Sequence, residues 1–292
     1  MKKAILWMPE ILLVLVSVAT AGDAPPLTFN FRTVNVPGAV QTTPGGINNV
    51  GVSVGQYQDK NMAFHGYILN GKKVKTLDDP KGTNTLANDL NPNGTICVVG
   101  YYLNSAGTTV GFLYRNGKFT DVPGPTGATA SAANSINDKG EIVGYYLDSG
   151  GTQHGFLLKG TSYITLDVPG AVGTGVDGIN NKSDMVVFWV DSNGIGQSSI
   201  TDDDGKTYTT INVPQAIYSA ASAINNNGDV VYTWVDSADR VRGALRHKGK
   251  YYKFDYPKAV YTYGGGLNDL NTILGGYESK KGAPFSGFEA TY

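Results

Sequence analysis

The sequence predicts an all-β propeller of six four-stranded blades, and three observations predict it. Pro37, Pro80, Pro123, Pro169, Pro214 and Pro257 recur at steps of 43–46 residues, each with Asn or Asp two places before it. An independent column, Asn48, Asn91, Asn137, Asn180, Asn225 and Asn268, keeps the same step, and every member follows Ile or Leu. Within each unit, short β-branched and aromatic runs are broken by turn pairs such as Asn70-Gly71, Asn116-Gly117 and Asp204-Gly205. A unit of this length is either a propeller blade or a solenoid helix pair. Turns spaced about 8–12 residues apart exclude the helix pair.

Taken in order, residues 1–21 read as a bacterial export signal. Met1-Lys2-Lys3 is cationic, an apolar run follows, and Ala19-Thr20-Ala21 offers a cleavage site. Its apolar run is too short to remain as a membrane span. The expected localisation is secreted or periplasmic. Residues 27–36 match the fourth strand of the other units but have no unit before them, while the last unit stops after its third strand. These ends complement each other, so residues 27–36 should close the ring and remove the exposed edges. The repeats are then about 38–80, 81–123, 124–169, 170–214, 215–257 and 258–292.

The innermost strand of each blade is rich in small residues, as in the stretch from Ala128 to Ala133, so that six can converge on one axis. The second strand carries an aromatic column: Tyr57, Tyr102, Tyr146, Trp189, Trp234 and Tyr277. Asp or another polar residue follows two places on. Antiparallel order puts this column and the proline column on one face, which we expect to be acidic and aromatic. The Ile-Asn turns and the lysine-bearing hairpins fall on the other, which we expect to be basic. Net charge is −1, and loss of residues 1–21 removes two lysines and one glutamate. That balance is not one that recruits nucleic acid. Cys97 is the only cysteine, so no intrachain disulfide can form; burial of its thiol is expected.

The His154-Gly-Phe triplet, the Gly178-Ile-Asn-Asn turn and the Asp167-Val-Pro-Gly close resemble the extracellular HAF-repeat proteins of bacteria. The resemblance spans residues 27–292 and is closest in units 1 and 3. Units 4 and 5 depart from it: Gln197-Ser-Ser and Arg242-Gly-Ala replace the triplet, and Val187 and Tyr232 replace a second-strand glycine. The resemblance implies export and a repeat architecture, and it brings no catalytic residues.

The chemistry-bearing residues favour binding over catalysis. His65 and His154 sit a third of the ring apart and His247 on the other face, which disfavours a histidine metal site or a nucleophile–base pair. No nucleophile elbow, zinc-protease helix or phosphate loop occurs. The Asp202-Asp203-Asp204-Gly205 run lacks the spacing of a calcium loop, and no metal or cofactor is expected. Candidate ligand contacts are Trp189 with Asp191 and Trp234 with Asp236, in neighbouring units, and Tyr146 with Asp148. Aromatic faces stack on sugar rings and adjacent carboxylates hold hydroxyl groups. The competing reading packs these rings between blades and lets each Asp start a turn. The expectation is therefore a monomeric, exported binding propeller for a glycan, a surface polymer or a protein. Alternatives are a polysaccharide hydrolase or lyase using the acidic-face Asp residues, and a purely structural repeat protein.

Overall fold

The computed structural model describes residues 27–292, so the export segment expected over 1–21 lies outside it. Six four-stranded antiparallel sheets make up the described residues. Five sheets use consecutive strands, as in blade 3 with Ala130–Ile136, Ile142–Leu147, Gln153–Lys159 and Ser162–Leu166. The sixth is built from both ends of the chain. Asn30–Thr33 pairs with Ser286–Thr291, from Asn30 against Thr291 to Thr33 against Phe288. The closing strand is shorter than its sequence match, although the Val34 N–H still donates to the Gly287 carbonyl at 2.8 Å. Leu27, Phe29 and Phe31 pack into the core between blades 5 and 6. Phe31 lies edge-on to Phe288, with ring centroids 5.4 Å apart. No helix among the described residues is long and apolar enough to cross a membrane.

The cores lie between blades, because each twisted sheet buries both faces against its neighbours. Val52, Val54, Ile68 and Leu77 of blade 1, for example, meet Ala87, Leu90, Val98 and Phe112 of blade 2. A cross-strand pair in every blade shows how volume is shared. Gly55 faces Tyr67, Gly100 faces Phe112, Gly144 faces Phe156 and Gly275 faces Phe288. In blades 4 and 5 the same register pairs Val187 with Ser199 and Tyr232 with Ala244. The large side chain has moved across the pair, so the departures from the repeat in units 4 and 5 keep the core filled.

At one end of the disc, the column Asn of four of the six inner turns stitches its blade to the carbonyl of the next. The Asn180 Oδ1 accepts the N–H groups of Lys182 and Asp184, which fixes its own turn. Its Nδ2 donates to the Asn225 carbonyl of the next blade at 3.2 Å. Asn137, Asn225 and Asn268 repeat the step, and the last reaches Asn48 at 3.1 Å across the ring closure. The residue after each Asn adds a second circuit: Asp138, Asn181, Asn226 and Asp269 each donate a backbone N–H to the next blade's side chain. This corrects the expectation of a basic face. Lysines occupy its outer hairpins, but the inner turns mix Lys139 and Lys182 with Asp138, Glu141, Asp184 and Asp269, so the face is mixed in charge. Cys97, expected to be buried, is only half-buried beside Arg115.

One position breaks the repeat at a cost in stability. Val36, Val122, Val168, Val213 and Tyr256 precede the column prolines, but blade 1 ends on Asp79. Its side chain is buried, its Oδ1 accepts the Lys81 N–H at 2.8 Å, and its Oδ2 has no partner. An unsatisfied buried polar group costs about 1–3 kcal/mol. Asp79→Val is therefore expected to raise the unfolding free energy by about 1 kcal/mol or more in urea titrations. No gain would mean that the Lys81 bond outweighs the orphaned oxygen.

Candidate functional site

The site grows out of six β-bulges at one level of the axis. In blades 2 to 5 the pairing of first and second strands skips a single residue: Asn88, Asn134, Asp177 and Ser222. In blades 1 and 6 the skip spans Gly45-Gly46 and Gly265-Gly266. A bulge leaves its extra residue unpaired and re-aims it, and here all six line the axial cavity. Asn88 Nδ2 donates to the Ala133 carbonyl at 3.0 Å, and Asn134 Nδ2 donates to Asp177 Oδ1 at 2.9 Å. A run of amides thus passes round blades 2 and 3 and ends on a carboxylate. Glycine is required on the opposite wall, where a Cβ on Gly45 would collide with the Asn88 carbonyl and one on Gly266 with the Gly45 carbonyl.

The cavity holds about 430 Å³. Toward the asparagine turns the axis narrows to about 30 Å³, so the cavity is a cup that opens on the opposite face. Gln56, Tyr101 and Tyr145 from second strands line its upper wall. Asp89 lies lower, and its Oδ2 accepts the Ser135 hydroxyl at 2.5 Å. Burial pushes the Asp177 carboxyl up to about 7, although the Asn134 bond pulls the other way. Asp89 is pushed up to about 6 for the same reason, against its bond from Ser135. Burial, followed by the charge of Asp177, raises the Tyr145 and Tyr218 phenols, so both rings stand near that carboxylate. No lysine, arginine or histidine lines the cup.

The aromatic column behaves differently from the cup. Trp234 is only 2% exposed; its Nε1 donates to the Gly243 carbonyl at 3.1 Å and Lys253 Nζ sits 4.2 Å from its ring. That corrects its candidacy as a sugar platform: strand alternation turns the ring into the core shared with Tyr232 and Ala244. Asp236 is also withdrawn, held by Arg240 and Arg242 and kept ionised down to about 2, chiefly by its bond from Arg240. Trp189 is half-buried against the core of blades 3 and 4, with Nε1 donating to Ser199. Asp191 accepts the Asn193 and Ile195 N–H groups and so builds its turn. Tyr146 is covered on one face by His154, centroids 5.1 Å apart and 22° from parallel. Asp148 likewise accepts the Gly150 and Thr152 N–H groups.

These groups form a motif that repeats around the acidic face. His154 bridges Asp167, 2.8 Å from its Nδ1, and Asp148, 3.4 Å from its Nε2. Partial burial pulls the His154 imidazole down, but its bonds to the two carboxylates outweigh that and raise it. His65 lies between Asp78 and Asp59 in blade 1, Arg242 between Asp255 and Asp236 in blade 5, and Gln197 between Asn212 and Asp191 in blade 4. Each bridge locks the second, third and fourth strands of its blade. The two carboxylates approach opposite edges of the imidazole, so they leave no common point for an ion. Asp203 is likewise saturated by the N–H groups of Lys206 and Thr207 and by two threonine hydroxyls.

No protein-family model matches the sequence, and no curated protein matches it. Among solved structures, an Aleuria aurantia lectin variant in complex with Fucα1-6GlcNAc is similar with a TM-score of 0.54 at 12% identity, covering 86% of this chain and 93% of the lectin. The lectin SapL1, in complex with α-methyl fucoside, gives 0.54 at 9% identity over 86% and 93%. A Trypanosoma rangeli sialidase in complex with DANA gives 0.52 at 12% identity, covering 87% of this chain and 55% of the sialidase. These likenesses establish the six-bladed propeller fold.

The half-buried Asp177 carboxylate of the cup makes stability depend on pH. Between its ordinary value of 3.8 and about 7, Asp177 holds a proton in the folded protein that the unfolded chain releases. Stability therefore falls as pH rises through that window. Asp177→Asn is expected to be more stable than the parent at about pH 7.5 and to lose most of that advantage at about pH 4, measured by urea unfolding. An equal difference at both pH values would mean that the carboxylate ionises there without penalty.

Proposed function

We propose that this protein is a non-catalytic binding propeller that takes a carbohydrate into the axial cup. The observation that carries this reading is the ring of bulges. It surrounds a cavity of about 430 Å³ with two amides, a hydroxyl and a carboxylate, Asp89 lies below them, and tyrosines stand above. Carboxylates accept from sugar hydroxyls, amides both accept from and donate to them, and phenol rings cover the apolar face of a pyranose. A cup without cationic side chains suits a neutral polyol better than a phosphate or an acidic sugar. The propellers it resembles in fold include lectins solved with fucosides, which supports the same class of ligand.

Screening on a glycan array followed by calorimetry tests the reading. Asp177→Ala and Tyr145→Phe are each expected to weaken the selected sugar about tenfold or more, the loss of roughly one hydrogen bond to a charged or phenolic group. Undiminished binding by both variants would place the sugar elsewhere and overturn the reading. A second reading, glycoside hydrolysis, draws on Asp177 and Asp89, since a carboxyl raised toward neutrality can act as a general acid. It requires release of reducing ends from a polysaccharide, abolished in Asp177→Asn.

Membership of the HAF-repeat family and export belong to the same proposal, on the strength of the repeat columns and residues 1–21. Expressed in a bacterium, the full chain is expected outside the cytoplasm with Gly22 as its first residue by N-terminal sequencing. An intact Met1 on the exported or the retained protein would remove the export reading.

A further inference from the structure

The rim of the cup is chemically one-sided. Val40, Val172, Ile217 and Val260 all stand three residues after a column proline, at the start of an innermost strand. They are 41%, 58%, 50% and 52% exposed. Blades 4, 5, 6 and 1 are consecutive around the ring, so the four side chains form one arc. Each is held by its own backbone: the N–H of Val172 donates to the Val190 carbonyl at 2.9 Å, and Val40, Ile217 and Val260 repeat the bond. Ile195 and Tyr218, 42% and 37% exposed, fill the arc between blades 4 and 5. In blades 2 and 3 the corresponding residues are Thr83 and Thr129. Single exposed apolar residues are ordinary, but four at the same structural position of consecutive blades indicate a contact surface.

We infer that the ligand is amphiphilic: a glycoside whose sugar occupies the cup and whose apolar aglycone, an alkyl or acyl chain, lies across the rim of blades 4, 5, 6 and 1. The inference rests on the reading of the cup as a sugar site. Continuity carries it, because these rim residues begin the same strands that deliver Gly45, Asp177, Ser222 and Gly265 to the cup. A ligand leaving the cup toward the apolar side has to cross them. Charge argues against larger occupants. Asp59, Asp148 and Asp191 on the same face are held ionised chiefly by their turn N–H groups, and these charges repel an anionic bilayer and a second copy of this face. The described chain begins at Leu27 beside the core that includes Tyr292, at the opposite face.

The test compares methyl and octyl glycosides of glucose, galactose, mannose and fucose, kept below micelle-forming concentrations, by calorimetry on the purified protein. The octyl form of a bound sugar is expected to bind at least tenfold more tightly than its methyl form. Val172→Ser combined with Ile217→Ser should erase that advantage and leave the methyl glycoside unchanged, with the fold checked by circular dichroism. Equal affinities of the methyl and octyl forms would overturn the inference and leave the cup reading standing. So would an octyl advantage that survives the double variant. Octyl binding that depends on the rim, with methyl binding indifferent to Asp177→Ala, would retain the apolar rim and remove the cup as the sugar site. No binding of any octyl glycoside overturns the inference outright.

Discussion

Six separate sheets can share an axis only if something ties each to the next where their innermost strands converge, and here that tie is a ring of asparagine side chains. One amide serves two masters at once: its oxygen closes the turn of its own blade, and its nitrogen reaches the backbone of the following blade. Both partners are buried, so the bonds form without competition from water. The last step, from Asn268 to Asn48, spans the junction where the chain ends meet. The closing strand completes the same junction from the outside, with Phe254, Phe288 and Tyr292 packed against Phe29 and Phe31. Four junctions use this tie, while blade 1 meets blade 2 through the Asn49 N–H and the Pro92 carbonyl, and blade 2 meets blade 3 through Asp138. The turns, and everything a fixed number of residues before them, therefore stand at one height.

That levelling creates the cup. Two residues before each Ile or Leu of the turn, the innermost strand bulges, and the six bulged positions become a single belt around the axis. The belt is not symmetric. Glycines on blades 6 and 1 let their strands approach so closely that no side chain fits, while amides and a carboxylate fill blades 2 to 4. The result is a polar wall facing a bare one, with two carboxyls that burial carries toward neutrality. The rim repeats the division one level higher, with valine and isoleucine over one arc and threonine over the other.

The outer part of each blade is governed by a different economy. In blades 1, 3, 4 and 5 a bridging His, Gln or Arg on the third strand fastens the Asx turn and the end of the fourth strand, and at His65, His154 and Arg242 its ring or guanidinium lies over the aromatic of the second strand. These residues look like a site in the sequence because they are polar, aromatic and periodic. Their hydrogen-bonding capacity is used within the blade, which is why the turn carboxylates Asp59, Asp148, Asp191 and Asp236 are held ionised and the rings of Tyr57, Tyr146 and Trp234 are covered. Trp234 shows the limit most clearly: two residues from an acid in the chain, it lies against Tyr232 and Ala244 in a dry interface.

The number of blades, their strand order and the joining of the two ends were legible in the sequence alone. Each rests on a local pattern: a spacing, a turn pair, an orphan strand at one end matching a gap at the other. Even the odd units 4 and 5 could be seen to differ, but only the register pairing Tyr232 with Ala244 and Val187 with Ser199 shows that the difference conserves volume. The cup could not be read in advance. A bulge moves one residue out of strand alternation, so Asn134 and Asp177 look like ordinary members of a small-residue strand until the pairing is known. Their meeting with Asn88 and Ser222 depends on closure of the whole ring, which brings together residues more than a hundred positions apart. Local chemistry determined the blade; the shared axis determined what the blades enclose.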